Sequence, residues 1–330
     1  MPLGVRRDVR GVAMSEEHEL DLVVTSHREI ADQVAQLVLQ RPDGSELPEW
    51  TPGAHLDLII EPGLVRQYSL CGEPTDLTRY KIAVLREPNS RGGSRYVHDH
   101  LSDGAVVHMR GPRNHFELDP SPRYLFIGGG IGITPLVPMV ARAVADGADV
   151  RIEYGGRSRG SMAYLHELES EYPDRLTVHP QDEVGMIDLD SVLKVPQPDT
   201  LIYCCGPEAL LQAVEERSSA WPEGALHLER FSPKEFGDPV RTESFDVVLE
   251  RTGKTVTVPP DKSVLEMLDE AGVFTVSSCQ EGTCGTCEAV VLEGEVDHRD
   301  SLLSPAEQAA NDVMYPCVSR AKSARLVLDL

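Results

Sequence analysis

The stretch with the most chemical potential is Ser277–Cys287, SSCQEGTCGTC, which sets Cys279, Cys284 and Cys287 in the spacing C-x4-C-x2-C. A fourth cysteine, Cys317, lies 30 residues beyond the third. For four thiolates to converge on one small site, three must come from a single loop and one from a distant element. Such a loop wraps an inorganic group instead of packing on itself. Gly282 and Gly285 let the backbone pass close to the sulfurs, and Thr283 and Thr286 are small. Amide N–H groups aimed at a cluster's sulfurs offset its negative charge and tune its potential.

The spacing is that of plant-type 2Fe-2S sites, with Cys279 and Cys284 expected on one iron and Cys287 and Cys317 on the other. A structural zinc site pairs CxxC with a second close pair, and Cys317 has no cysteine beside it. A thioredoxin-like CxxC opens a helix, whereas Cys284–Cys287 falls inside a loop. The other cysteines, Cys71, Cys204 and Cys205, sit in apolar contexts. Seven cysteines, an odd number, point to thiols and metal ligands in a cytoplasmic chain, not to disulfides.

Two further stretches offer phosphate and ring recognition. In Arg66-Gln67-Tyr68-Ser69-Leu70, Arg66 supplies a charge for a phosphate, Tyr68 an aromatic face and a hydroxyl, and Ser69 a short hydrogen-bonding group for a flavin ring. An ordinary strand with an exposed arginine is the competing interpretation. In Asn89-Ser90-Arg91-Gly92-Gly93-Ser94-Arg95-Tyr96, the glycines free the backbone ahead of a helix expected from Ser94 to Leu101. Its first N–H groups, Ser94 and a nearby arginine suit a terminal phosphate. A plain loop and cap would read the same way, but the two pieces together, about 25 residues apart in one small barrel, favour a flavin phosphate.

Gly128-Gly129-Gly130-Ile131-Gly132-Ile133-Thr134-Pro135 sits where a strand meets a helix, the place for a pyrophosphate. It departs from the strict dinucleotide fingerprint because Thr134 takes the third glycine position. Cys204-Cys205-Gly206-Pro207 ends a later strand, at the sheet edge where ligands bind, and a thiol there could contact a nicotinamide. Two small core residues are the alternative. Gly155-Gly156-Arg157-Ser158-Arg159 follows the second strand, where arginines could hold a 2′-phosphate, stack on adenine or be solvated.

These pieces need elements to position them. Up to residue 120 the chain shows short apolar or alternating runs at 20–24, 36–40, 54–60, 67–71, 80–85 and 106–110, separated by turns such as Pro42–Ser45, Glu61–Gly63 and Glu73–Asp76. That pattern predicts a β-barrel or sandwich. From Arg123 strand and helix alternate, with strands at 124–127, 150–154, 175–179 and 200–204 and helices at 135–146, 162–170, 188–194 and 207–217, which predicts a doubly wound parallel α/β domain. A polar Pro/Gly-containing segment at 232–243 reads as a linker. After it come a hairpin, 244–250 and 254–258, and a helix capped by Ser263 with Glu266 and closed by Gly272. The domains expected are a disordered extension at 1–16, a barrel at 17–120, a nucleotide domain at 121–231 and a cluster domain at 244–330. Met14 is a second candidate start.

The formal charge is −23, from 54 acidic and 31 basic residues, which argues against nucleic acid and anionic membranes as partners. Residues 238–330 alone contribute about −9, which suits docking on a basic protein. No apolar run reaches the roughly 18 residues of a membrane span, and no apolar stretch follows Arg6 and Arg7 as an export signal requires.

In this order, RQYSLC, SRGGS, GGGIGITP, YCCGP, HLERF, CxxxxCxxC and the closing CVSRAKSARLVLDL resemble the phthalate dioxygenase reductase family, which includes vanillate O-demethylase reductases. The resemblance covers about residues 17–330. It implies a flavin-binding antiparallel barrel, a nucleotide domain and a β-grasp plant-type ferredoxin domain. It implies FMN rather than FAD, NADH more usually than NADPH, and a terminal oxygenase as acceptor. By motif match, Arg66, Tyr68, Ser69, Gly92, Gly93 and Ser94 would bind FMN, with Arg91 beside them. Phe231 would lie near the isoalloxazine, and Gly130, Thr134, Arg157 and Cys205 would line the nicotinamide nucleotide site.

A nicotinamide gives up two electrons as hydride and a 2Fe-2S cluster takes one at a time, so a flavin belongs between them. No side chain then needs to act as a general acid or base, and no catalytic residue is nominated. His98, His100, His108 and His115 are expected to be structural or solvated. The rival interpretations are an FAD reductase with a ferredoxin tail, and a redox sensor that does not turn over.

Overall fold

The computed structural model describes residues 18–330 apart from 62–63 and 89–91. The expected extension at 1–16, the last two residues of the Glu61–Gly63 turn, and Arg91 lie outside the described residues. The chain divides into two compact units. One runs up to Ile187 and takes in Asp199–Tyr203; the other is Asp188–Pro198 with Cys204–Leu330.

The first unit opens with six strands: β1 (Glu19–Ala31), β2 (Val34–Gln40), β3 (His55–Glu61), β4 (Leu64–Ser69), β5 (Tyr80–Leu85) and β6 (Val106–Arg113). They pair in the order β4-β3-β6-β1-β2-β5, each resolved pair antiparallel. Just past β4, the Cys71 N–H donates to Lys81 O on β5 at 3.0 Å, which brings the two outer strands together. Alternate residues point inward, as a two-residue period demands, and Leu22, Val24, Leu37, Leu39, Leu56, Leu58, Ile82 and Met109 are fully buried. Helix α1 (Gly93–His100) adds Val97 to this core.

β1 is longer than expected. Its second half, Thr25–Ala31, is polar, so it shows no hydrophobic alternation; pairing with β2 holds it, with bulges at Val24/Ser26 and Glu29/Ala31.

The parallel part begins with β7 (Arg123–Gly129), β8 (Asp149–Gly156) and β9 (Leu176–Pro180), in matched register. α2 (Leu136–Ala145), α3 (Leu165–Glu171) and α4 (Gln181–Val184) follow these strands in turn. α5 (Leu189–Leu193), β10 (Thr200–Cys205), α6 (Glu208–Arg217) and β11 (Leu226–Glu229) continue the alternation. The sheet order is β11-β10-β7-β8-β9. Phe126, Ile152 and Tyr154 are fully buried in its core.

In the second unit, β12 (Phe245–Leu249) and β13 (Lys254–Val258) form the expected hairpin. α7 (Val264–Glu270) starts at Ser263, whose Oγ accepts from the Glu266 N–H at 3.1 Å while Glu266 Oε2 accepts from the Ser263 N–H at 2.7 Å. β14 (Ala289–Glu293), β15 (Val296–Asp297), α8 (Pro305–Ala310), β16 (Val313–Met314), β17 (Arg320–Ala321) and β18 (Arg325–Leu328) complete it. The order β13-β12-β18-β14-β16, with β12 parallel to β18, is the β-grasp arrangement, and α7 packs Val264 and Leu268 into its core.

Residues 232–243 contain no helix or strand. They are tied to the segment beside β15: the Lys234 N–H donates to Ser301 Oγ at 2.8 Å, the Val240 N–H to Asp297 Oδ2 at 3.0 Å, and the Arg299 guanidinium lies 5.5 Å from the Phe236 ring.

Candidate redox-cofactor sites

Arg66, Tyr68 and Ser69 are neighbours on β4, where pairing with β3 fixes their spacing. The Arg66 side chain crosses the first turn of α1. A Cβ on Gly93 would sit 2.4 Å from Arg66 Cγ, so only glycine admits the crossing. Gly92 has φ 99°, a left-handed value that favours glycine. The two glycines therefore set an arginine against a helix N-terminus, whose positive end favours an anion. Ser94 Oγ accepts from the Glu87 N–H at 3.1 Å. Burial pushes the Tyr68 hydroxyl well above its usual pKa, so it stays a neutral donor. Arg66, Tyr68, Ser69, Gly92, Gly93 and Ser94 thus have the chemistry a flavin phosphate and ring require.

The glycine turn after β7 is a 3-10 turn over Gly130–Ile133, with Gly130 at φ 55° and open space where its Cβ would be. Thr134 is buried, and its Oγ1 donates to Ile131 O at 3.0 Å, so the hydroxyl closes the turn. Of the two arginines after β8, Arg159 is ion-paired to Glu169, and Arg157 is exposed with its backbone O accepting from the Asp182 N–H at 3.2 Å.

In the second unit, Cys204 and Cys205 are both fully buried at the end of β10. Cys204 is the core residue that its apolar context allows. Cys205 Sγ lies 3.9 Å from Glu229 Oε2 at the end of β11. Burial, then the Glu229 charge, pushes the Cys205 thiol well up, and burial pushes Glu229 up to about 8. Sequence reading missed Glu229, since 24 residues separate it from Cys205; the one signal was its place inside HLERF. Arg230, next to it, is ion-paired with Glu208 at 3.1 Å and Glu215 at 2.5 Å, and Phe231 is 45% exposed.

The four clustered cysteines form two pairs. Cys279 is pushed down to about 6, chiefly by the Cys284 thiol and then by the hydroxyl and N–H of Thr283. Cys287 is pushed down chiefly by the Cys317 thiol. The Glu281 N–H points at Cys279 Sγ from 3.3 Å, and Thr286 Oγ1 is 3.1 Å from Cys284 Sγ. Gln280, Gly282 and Gly285 all have positive φ, which turns successive N–H groups toward the sulfurs. Gly282 is constrained on space as well, since a Cβ there would fall 2.6 Å from Val318 Cγ2. Among the described residues, no three or more His, Cys, Asp or Glu side chains are arranged around a single ion. Two-and-two thiols under a canopy of N–H donors fit a 2Fe-2S cluster, with one pair to each iron.

His98 Nε2 lies 2.9 Å from Val84 O, His100 stacks on Tyr96, and His108 Nδ1 lies 2.8 Å from Asp21 Oδ1.

Residues 247–322 match the 2Fe-2S iron-sulfur cluster binding domain, and residues 126–216 match the oxidoreductase NAD-binding domain. The vanillate O-demethylase oxidoreductase of Pseudomonas putida is 41% identical over 321 residues, spanning 94% of this chain and all of that one. The crystal structure of phthalate dioxygenase reductase superposes with a TM-score of 0.68 at 37% identity, covering 94% of this chain and 98% of that one. The chain belongs to the phthalate dioxygenase reductase family. It is an electron-transfer oxidoreductase with an NAD-binding and a 2Fe-2S domain. An intact type IV self-sufficient cytochrome P450 monooxygenase contains the same architecture, with a TM-score of 0.89 at 44% identity over 94% of this chain, which spans 41% of that longer protein. No helix among the described residues is long and apolar enough to cross a membrane.

Proposed function

We propose that this reductase takes electrons from NADH, passes them through FMN and a 2Fe-2S cluster, and delivers them to a separate terminal oxygenase of Rieske or haem-thiolate type. The observation that carries this reading is the pairing of Cys279 with Cys284 and Cys287 with Cys317 in a chain collinear with its family nearly end to end. When bound, a flavin converts hydride uptake into single-electron release, and the cluster accepts those electrons one at a time. The protein's residues bind, orient and screen. Arg66 and the start of α1 hold the FMN phosphate, Tyr68 and Ser69 face the ring, and Arg91 and Phe231 are assigned by motif. Gly130 and Thr134 shape the pyrophosphate turn, and Cys205 with Glu229 borders the nicotinamide.

NADH is favoured over NADPH because Arg159 is committed to Glu169, and the acidic first turn of α4, with Asp182 and Glu183, adjoins Arg157. We assign the modules to 17–120, 121–231 and 244–330, joined by 232–243. Seven free cysteines and no disulfide suit a cytoplasmic protein. Relatives named for a demethylase and a dioxygenase, and a P450 monooxygenase that contains the matched segment, support an oxygenase as acceptor.

The test is anaerobic addition of NADH or NADPH to purified protein whose flavin has been extracted and identified. FMN, bleaching of the flavin band by NADH at much higher kcat/KM than by NADPH, and the electron paramagnetic resonance (EPR) signal of a reduced 2Fe-2S cluster are expected. Protein lacking iron and yellow chromophore after anaerobic reconstitution would overturn the reading.

A further inference from the structure

We infer that Tyr164 is a positioning residue for the pyridine nucleotide, tying the loop that carries Arg157 to the end of the flavin strand β4. The inference rests on the proposed reading of that loop as the nucleotide's ribose site.

Three ties fix the loop between β8 and α3. The first runs through the Tyr164 hydroxyl. Gln36 Nε2 donates to Tyr164 Oη at 2.8 Å, and Tyr164 Oη lies 3.0 Å from Cys71 Sγ, which in turn donates to Lys81 O at 3.4 Å. Arg28 Nε and Nη2 both donate to Gln36 Oε1, at 3.0 and 2.8 Å, which turns the Gln36 amide nitrogen toward Tyr164. The donors and acceptors then form one directed chain, from Arg28 on β1 to Lys81 on β5, with Tyr164 donating to Cys71. The second tie is the Asp32 N–H donating to Gly160 O at 2.8 Å. The third is the Tyr154 hydroxyl, 3.0 Å from Ala163 O and 3.1 Å from Gly130 O, which links the loop to the glycine turn.

Tyr164 itself has φ 59°, a left-handed backbone that a bulky side chain rarely adopts and that persists only when its surroundings hold it. It is buried. Cys71, two residues past Ser69, is also buried, and its thiol is pushed up to about 12, chiefly by that burial. It is therefore a neutral hydrogen-bonding group. Hydride transfer is sensitive to small misplacements of the donor, so a loop anchored to the flavin strand can set nucleotide position without touching the reacting atoms.

The test uses full-length protein with its cofactors. Tyr164→Phe keeps the ring and removes the hydroxyl. The NAD+ dissociation constant, read by titration calorimetry, and KM for NADH are expected to rise about tenfold, with a smaller fall in kcat and unchanged flavin content and cluster EPR signal. Cys71→Ser keeps a donor and acceptor and should stay near wild type, whereas Cys71→Ala should follow Tyr164→Phe. The double variant Tyr164→Phe/Cys71→Ala should be no worse than Tyr164→Phe alone. Wild-type affinity and KM in both Tyr164→Phe and Cys71→Ala would overturn the inference, as would additive effects in the double variant. If wild-type protein is reduced by neither nucleotide, the proposed function itself fails.

Discussion

Cys204 and Cys205 stand next to each other at the end of a strand, and Cys284 and Cys287 stand almost as close within a loop, yet the protein surrounds the two groups differently. At the strand end, burial raises both thiols far above their usual values and leaves them neutral. In the loop each close pair divides: Cys279 and Cys287 are pushed down chiefly by hydrogen bonds from their partner thiols and, for Cys279, also by Thr283 and backbone N–H groups, while the partners Cys284 and Cys317 are pushed up by those same bonds and by burial. Burial alone does not separate them, since Cys284 and Cys287 are also buried. The difference is backbone shape. A β-strand spends its N–H groups on the next strand, whereas a loop with positive φ at Gln280, Gly282 and Gly285 has N–H groups to spare for sulfur. A cysteine becomes a metal ligand where the backbone has donors to give it.

The sharpest way to break that contrast is to remove one loop thiol. Cys317→Ala should abolish the cluster's visible absorbance and its EPR signal, and with them essentially all reduction of a protein acceptor. Bleaching of the flavin by NADH should persist. An intact cluster signal in this variant would remove Cys317 from the ligand set. A smaller effect is expected from Gly282→Ala, which adds a Cβ at φ 70° against Val318 Cγ2. The strain of about 1–3 kcal/mol should appear as faster iron loss on mild heating, followed by absorbance. Iron loss at the wild-type rate would mean that the loop relaxes around the methyl group.

The same contrast explains what could be read from the sequence. Spacing within one loop was legible, because three ligands and their glycines lie within nine residues. Periodicity gave a barrel or sandwich and the alternating strands and helices, and residue types gave the Ser263/Glu266 cap. Where residues meet across the fold, the sequence was silent. Glu229 reaches Cys205 because β11 and β10 are adjacent in the sheet, and Tyr164 reaches Cys71 from 93 residues away. The second capping box was legible but not read: in Ser304-Pro305-Ala306-Glu307, Ser304 Oγ accepts from the Glu307 N–H at 3.3 Å. The polar half of β1 is held by its local hairpin with β2 and lacks the hydrophobic alternation that marks a strand, while the ties of residues 232–243 depend on partners distant in sequence.

At the strand end the titrating group is Glu229, not a thiol. Its folded pKa of about 8 lies above the ordinary carboxylate value of 4.5. The neutral form is therefore the one the fold favours. Its contribution to stability is complete below about 4.5 and is lost as pH rises through about 8. Thermal stability should fall across that window, and any pH dependence of flavin reduction by NADH near 8 should share this origin. Glu229→Gln, neutral at every pH, should flatten both profiles and leave the cluster spectrum unchanged. A profile in Glu229→Gln identical to wild type would assign the titration to another group.

The smallest effect belongs to Cys204. If it is only a core residue, Cys204→Ala removes one sulfur's packing and costs about 1 kcal/mol, read as a slightly lower denaturation midpoint. Flavin reduction, the cluster signal and delivery to a protein acceptor should all match wild type, because Cys204 is fully buried in the core. A loss of nicotinamide affinity comparable to that of Cys205→Ala would break the assignment. It would mean that the strand presents both thiols to the nucleotide, and that the contrast with the loop is one of degree. The two alanine variants, measured side by side by NAD+ titration, separate a packing thiol from one that borders the site.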